Sequence, residues 1–241
     1  ETKMKAKILE ISKKKFWENS DMAAVDSQGA SGGLATLWDK RHYTGMILNA
    51  STNHLAIKFH AIENNSEWIL SNIYAPNTVS GRRKLWTDLK IFRTQHTTTN
   101  WLIMGDFNSP LNPGEKYGGI SSFSTGMEEF VDFVADLNLL DVDLHGNKYT
   151  WNNRRLGKDL IQVRLDRALI SASWILSQDF HLSSLPRIGS DHNPIDLNLL
   201  NWNKPIKAHS NLKRCGWSMM TFMTKLKNGG FGMVKALLNI D

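Results

Sequence analysis

The sequence predicts a layered α/β (α+β) domain, and three observations lead there. From Gly33 onward short apolar or alternating segments follow one another, separated by Asn, Ser, Gly and Asp clusters, as the strands of a sheet protein do. Two longer segments, 80–95 and 124–141, change to a helical period. Several apolar segments also run into or out of isolated polar side chains, so polar groups collect at strand ends. Many strands with interspersed helices build sheets covered by helices.

In chain order, "GGLATLW", "TGMILN", "HLAIKFHAI" and "EWILSNIY" read as the first strands. In the third, Leu55, Ile57, Phe59 and Ala61 alternate with His54, Ala56, Lys58 and His60, which predicts a half-exposed strand with both histidines in solvent. "SGRRKLWTDLKIFRTQ" carries Leu85, Trp86, Leu89 and Phe92 on one helical face, with Ser80 as the expected cap. "WLIMGDFNSP" is a buried strand that ends in Asp106 and Asn108. In an extended chain these two side chains would point to one place, whereas Asn-Ser-Pro is also good turn chemistry. "STGMEEFVDFVADLNLLD" reads as a helix opened by a Thr125/Glu128 capping box. Its apolar stripe is Met127, Phe130, Val131, Val134 and Leu137, with Glu128, Glu129, Asp132 and Asp136 on the solvated face. "NKYTWNN" and "LIQVRLDRALIS" read as a hairpin across the polar "RRLGKD", and "FHLSSL" and "NPIDLNLL" as two last strands. Beyond Asn201 the pattern weakens. Residues 1–200 are expected to form the domain and 201–241 an extension or linker, with a short helix from about Met219 to Lys227.

Composition narrows the function classes. The 241 residues carry a net charge of +6, which favours polyanionic partners such as nucleic acid. No run of apolar residues is long enough for a membrane-spanning helix, and no secretory signal is visible. One cysteine, Cys215, cannot form an internal disulfide, and no spaced Cys/His cluster points to zinc. Most of the nine tryptophans are flanked by apolar residues and are expected in the core.

The polar residues at strand ends carry the chemistry. Tyr74 and Asn77 follow "EWILSNIY", Asp106 and Asn108 follow "WLIMG", and Asp191 and His192 precede "NPIDL". Asp166 sits inside the apolar run "VRLDRALI", where a buried carboxylate needs a partner, either Arg164, Arg167 or a histidine. Carboxylates gathered at one place repel one another, and a divalent cation such as Mg²⁺ relieves that repulsion.

The ordered set "ETKM", "NIYAPN", "MGDFNSP", "TWNN", "RLDRALIS" and "SDHNPIDL" resembles the endonuclease/exonuclease/phosphatase superfamily, with its DNase I-like fold. "SGGLATLW", "EKYGG" and "HGNKYTW" narrow the resemblance to the endonuclease domain of plant LINE-type (non-LTR) retrotransposons, over roughly residues 1–200. The resemblance implies a four-layer β-sandwich flanked by helices. It implies Mg²⁺ as cofactor, with Mn²⁺ able to replace it, DNA as substrate and the nucleus as location. It also implies a reverse-transcriptase region in a longer parent polyprotein. Glu1 and Asp191 would be the metal ligands. Tyr74 would hold the scissile phosphate, with Asn77 a nearby polar contact. Asp106 would orient or deprotonate the attacking water, and Asn108 would hold water and phosphate. His192 would bind the phosphoryl oxygen, oriented by Asp166. Lys116 in "EKYGG" would contact phosphate, and Arg154, Arg155 and Lys158 at the hairpin tip would meet the DNA. The family's opening Trp-Asn-x-Arg-Gly strand does not precede Glu1 here, so the domain is expected to be truncated at its N-terminus. The leading expectation is therefore an endonuclease that nicks one DNA strand. The alternatives are a phosphatase or abasic-site endonuclease on the same fold, and an inactive remnant that binds nucleic acid.

Overall fold

A computed structural model describes residues 2, 4–29, 31–97, 100–119, 123–187, 189–200, 218–225 and 231–238. In chain order the elements are α1 (Ala6–Phe16), β1 (Ser20–Gln28), β2 (Ser31–Asp39), β3 (Tyr43–Ala50), β4 (His54–Ala61) and β5 (Glu67–Tyr74). Next come α2 (Val79–Gln95), β6 (Asn100–Asp106), β7 (Lys116–Tyr117), α3 (Thr125–Asp136), β8 (Leu139–Asp141), β9 (Leu144–His145) and β10 (Trp151–Asn152). The remainder are β11 (Gln162–Val163), β12 (Asp166–Ser171), α4 (Ala172–Ile175), β13 (Asp179–Ser184), β14 (Ile195–Leu200), β15 (Ser218–Lys225) and β16 (Phe231–Leu238).

A seven-stranded sheet runs β1-β2-β16-β15-β14-β13-β9, a six-stranded sheet runs β3-β4-β5-β6-β12-β8, and β10-β11-β7 form a small third sheet. The inner faces of the two large sheets share one core. Leu34 and Trp38 of β2 and Leu182, Ile195 and Leu197 meet Ile57, Phe59, Leu70, Leu102, Met104, Ala168 and Ile170 there. Alternation decides which face each residue takes, because Ala35 and Leu37 on the other face of β2 pack with Leu9 of α1. The outer face of the six-stranded sheet is covered by Leu85, Trp86, Leu89 and Phe92 of α2 and by Phe130 and Phe133 of α3. Helix, sheet, sheet and helices thus stack as the four expected layers.

Several sequence expectations change. His54 is buried, with Nε2 2.8 Å from the Ser71 hydroxyl, because α2 covers that end of β4 from outside. Helix α2 is capped by Thr78, whose hydroxyl oxygen accepts from the Gly81 N–H, and not by Ser80. Ser124 precedes α3 and makes no side-chain cap, so the Thr125/Glu128 box does not form. Phe133 takes the buried position expected for Val131, which is exposed. Helix α1 and strand β1 were not legible in the sequence. Of the stretch from about Met219 to Lys227 where a helix was expected, the part up to Lys225 belongs to β15, and the rest lies outside the described residues. With β16 it lies between β14 and β2, pairing Leu197 with Phe222 and Thr36 with Ala236. Five tryptophans, Trp38, Trp68, Trp86, Trp101 and Trp174, are core residues as expected.

Candidate active site

Three neighbouring strands of the six-stranded sheet end side by side. Tyr74 of β5 lies opposite Asp106 of β6, and Asp106 lies opposite Asp166 of β12. The close fit of β5 and β6 here requires Gly105. Its φ is +155°, and a Cβ on it would stand 2.0 Å from the Ile73 carbonyl oxygen. The segment entering β14 from the other large sheet brings Asp191 and His192 to the same place.

His192 joins the two sheets. Its Nδ1 is 2.8 Å from Asp166 Oδ2, and its Nε2 is 4.0 Å from Asp106 Oδ2. Asp166 is fully buried, as its apolar context predicted, and its partner is the histidine rather than an arginine. Burial works against a charged imidazole, but the Asp166 carboxylate outweighs it and holds His192 up at about 9. Burial likewise pushes the Asp106 carboxyl up to about 6, with His192 opposing the rise and Asp166 adding to it. A proton-accepting carboxyl and a charged N–H donor therefore stand together at the strand ends.

Asp106 and Asn108 do not point together along an extended chain. Asn108 has φ +47°, and its backbone N–H donates to Asp106 Oδ1 at 2.8 Å, which is an Asx turn. Its Nδ2 donates to the Ala75 carbonyl at 2.6 Å. The turn and the site are the same structure, since the turn closes the strand and anchors Asn108 beside the loop after Tyr74. In that loop Asn77 has its carbonyl bonded by Arg82 Nη1 at 2.8 Å.

Lys116 lies on β7 in the small sheet, where Val163 separates it from Trp151. Arg154, Arg155 and Lys158 are exposed at the tip between β10 and β11, and Arg154 also reaches the Gly189 carbonyl at 3.0 Å. The expected metal ligand Glu1 lies outside the described residues. Among the described residues no three His, Cys, Asp or Glu side chains stand together as a metal cage.

The two arginines flanking Asp166 do other work. Arg167, fully buried, pairs with Glu115 at 2.6 Å and with Asp141 at 2.7 Å, and Arg164 reaches the same two acids. Burial would raise the Glu115 carboxyl, but Arg167 and Arg164 hold it below the usual carboxylate range. This network ties the loop after Asn108 to the strand bearing Asp166. Sequence reasoning missed Glu115, because in "GEKYGG" the lysine beside it is the more obvious phosphate ligand. The signal was present in the two arginines flanking Asp166, which demanded buried acids elsewhere.

No family model matches the sequence, and no curated protein matches it. Solved structures do. The endonuclease domain of TRAS1, a telomere-specific non-LTR retrotransposon, superposes with a TM-score of 0.59 at 12% identity, over 95% of this chain and 90% of that one. A mannosyl-6-phosphatase of Bacteroides thetaiotaomicron gives 0.53 at 14% identity, over 79% and 80%. An endonuclease/exonuclease/phosphatase protein of Bacteroides vulgatus gives 0.51 at 14% identity, over 76% and 77%. Similarity this low in sequence establishes a shared architecture. The fold of this chain is that of the DNase I-like endonuclease/exonuclease/phosphatase superfamily.

Proposed function

We propose that the chain is a divalent-metal-dependent phosphodiester hydrolase that nicks one strand of DNA. The observation that carries the reading is the row Asp166–His192–Asp106, a buried acid holding a charged imidazole beside a carboxyl with a raised pKa. His192 Nε2 would donate to a phosphoryl oxygen as negative charge builds there. Asp106 would take a proton from the attacking water, for which a pKa near 6 is well matched. The water oxygen bonds to phosphorus as the bond to the 3′ oxygen breaks. One water proton goes to Asp106 and the leaving oxygen takes one from solvent, giving a 3′-hydroxyl and a 5′-phosphate.

The donor set fits a hard cation. Asp166 Oδ1 is buried with no hydrogen-bond partner among the described residues, and repulsion between Asp166 and Asp106 is part of what raises the latter. Mg²⁺ needs only one or two carboxylates beside water and phosphate, so a three-residue cage is unnecessary. Asp191, with Glu1 by resemblance, would hold Mg²⁺ or Mn²⁺. The cation supplies charge neutralisation at the phosphoryl oxygens.

DNA is favoured over a small phosphoester by the hairpin beside the site. Arg154, Arg155 and Lys158 surround Leu156, which is 88% exposed, an apolar tip among basic residues suited to the minor groove. The TRAS1 domain is itself described as an endonuclease of a non-LTR retrotransposon. Nuclear DNA, and a reverse-transcriptase region in a parent polyprotein, are the setting this reading implies. The test is cleavage of an end-labelled duplex with Mg²⁺ and with EDTA. Nicks that a polymerase can extend, formed only with Mg²⁺, support the reading. Hydrolysis of a sugar phosphate with the duplex left intact would replace it with a phosphatase.

A further inference from the structure

The short segment Tyr149–Asn152 lies between the two parts of the site and bonds to both. Thr150 is fully buried, and its Oγ1 accepts the backbone N–H groups of Leu165 and Asp166, each at 2.9 Å. Its N–H donates to the Val163 carbonyl at 3.1 Å, and its carbonyl accepts the Asn193 N–H at 2.6 Å. Next to it, Trp151 Nε1 donates to Asp191 Oδ2 at 2.8 Å, and the Asn152 N–H donates to the Asp191 carbonyl at 3.2 Å. Asn193 Nδ2 reaches the Tyr149 carbonyl at 3.1 Å. Asp166 belongs to the six-stranded sheet, whereas Asp191 and His192 lead into the seven-stranded one.

Two adjacent side chains therefore hold the backbone of Asp166 and the carboxylate of Asp191, the two acids beside His192. Neither bond is needed to complete a regular ladder, since β10 contributes only two residues to the small sheet. The hydroxyl of Thr150 is the acceptor for two successive N–H groups where the chain enters β12. The indole N–H occupies one oxygen of Asp191, which leaves the other for a cation.

We propose that Thr150 and Trp151 are positioning residues: Trp151 fixes the Asp191 carboxylate for the divalent cation, and Thr150 sets the register of Asp166 against His192. The inference rests on the hydrolase reading above and names the residues that hold its metal-side and phosphate-side groups in one geometry. Partners of this kind, when removed, typically cost about 10–100-fold in metal affinity or activity.

The full chain carrying Trp151→Phe keeps an aromatic ring and loses the N–H. Mn²⁺ binding, followed by the electron-paramagnetic-resonance signal of free Mn²⁺, should weaken about 10-fold. The Mg²⁺ concentration for half-maximal nicking should rise with it, while duplex binding in EDTA and the melting temperature stay unchanged. Thr150→Val should lower kcat with KM for the duplex preserved, and Thr150→Ser, which keeps the oxygen, should recover most of the loss. A Trp151→Phe chain with wild-type Mn²⁺ affinity and Mg²⁺ requirement overturns the role of Trp151. Equal losses in Thr150→Val and Thr150→Ser, assayed at a temperature where circular dichroism shows both proteins folded, overturn that of Thr150. A wild-type chain that neither binds Mn²⁺ nor nicks DNA overturns the hydrolase reading, and the inference with it.

Discussion

His192 shows how burial and one partner decide a protonation state. An imidazole this enclosed would ordinarily be neutral, yet Asp166 at 2.8 Å keeps it charged up to about pH 9. Titration of the His192 ring by NMR in the metal-free protein should therefore show a midpoint near 9, and Asp166→Asn should bring it down toward the ordinary 6.5. A wild-type midpoint near 6.5 contradicts the pairing. The sign for stability follows from the raised value. The contribution of His192 is fully present below about 6.5 and is lost as pH rises through about 9, so the melting temperature should fall across that window. His192→Ala should flatten the fall. The need of Asp166 for a partner was legible in sequence, because an acid inside an apolar run cannot stay unpaired, whereas the choice of His192 over Arg164, Arg167 and the other histidines came from the family resemblance. The sequence places Asn108 at the site for an incomplete reason, since its positive φ depends on a turn that an extended-chain argument leaves out. His54 eludes a sequence reading because alternation along β4 does not reveal that α2 lies over the face carrying it.

The hairpin from β10 to β11 has two ends with different duties. Its base holds Asp191 through Trp151, and its tip displays Arg154, Arg155, Leu156 and Lys158. Replacing Arg154 and Arg155 together by Ala should weaken duplex binding and reduce the slope of log affinity against log salt by about 2, one for each phosphate no longer neutralised. Binding isotherms at several salt concentrations decide it, and an unchanged slope would show that the tip stays in solvent. Helices α2 and α3 were legible from their period because packing against a sheet demands an apolar stripe. Their caps were not, because the cap is decided by the backbone geometry of the approach rather than by the nearest Ser or Thr. Helix α1 and strand β1 are hidden for another reason. The helix is rich in lysine, and "SDMAAVDSQ" mixes small and polar residues that only a partner strand makes regular.

The layered architecture was legible because strands that are apolar on both faces must be covered on both. The order of the strands was not, since pairing between distant segments leaves no local trace. Strands β15 and β16 show this most clearly, for they join the sheet between β14 and β2 although their sequence reads as an extension. A chain ending at Leu200 would leave the facing edges of β14 and β2 unpaired above the shared core. It should unfold at lower temperature than the full chain and scatter light as it aggregates. An equal melting temperature without aggregation would show that the remaining strands close without the hairpin. The basic character of the molecule, +6 over 241 residues, suits a polyanionic substrate. The site gives that charge something to do only if the row of Asp166, His192 and Asp106 is catalytic. The most direct measurement is therefore conversion of supercoiled plasmid to the nicked circle by the full chain in Mg²⁺, beside His192→Ala with an unchanged circular-dichroism spectrum. Nicking by the wild type, abolished by EDTA and by His192→Ala, is the predicted result. Nicking that persists in the His192→Ala protein would contradict the account.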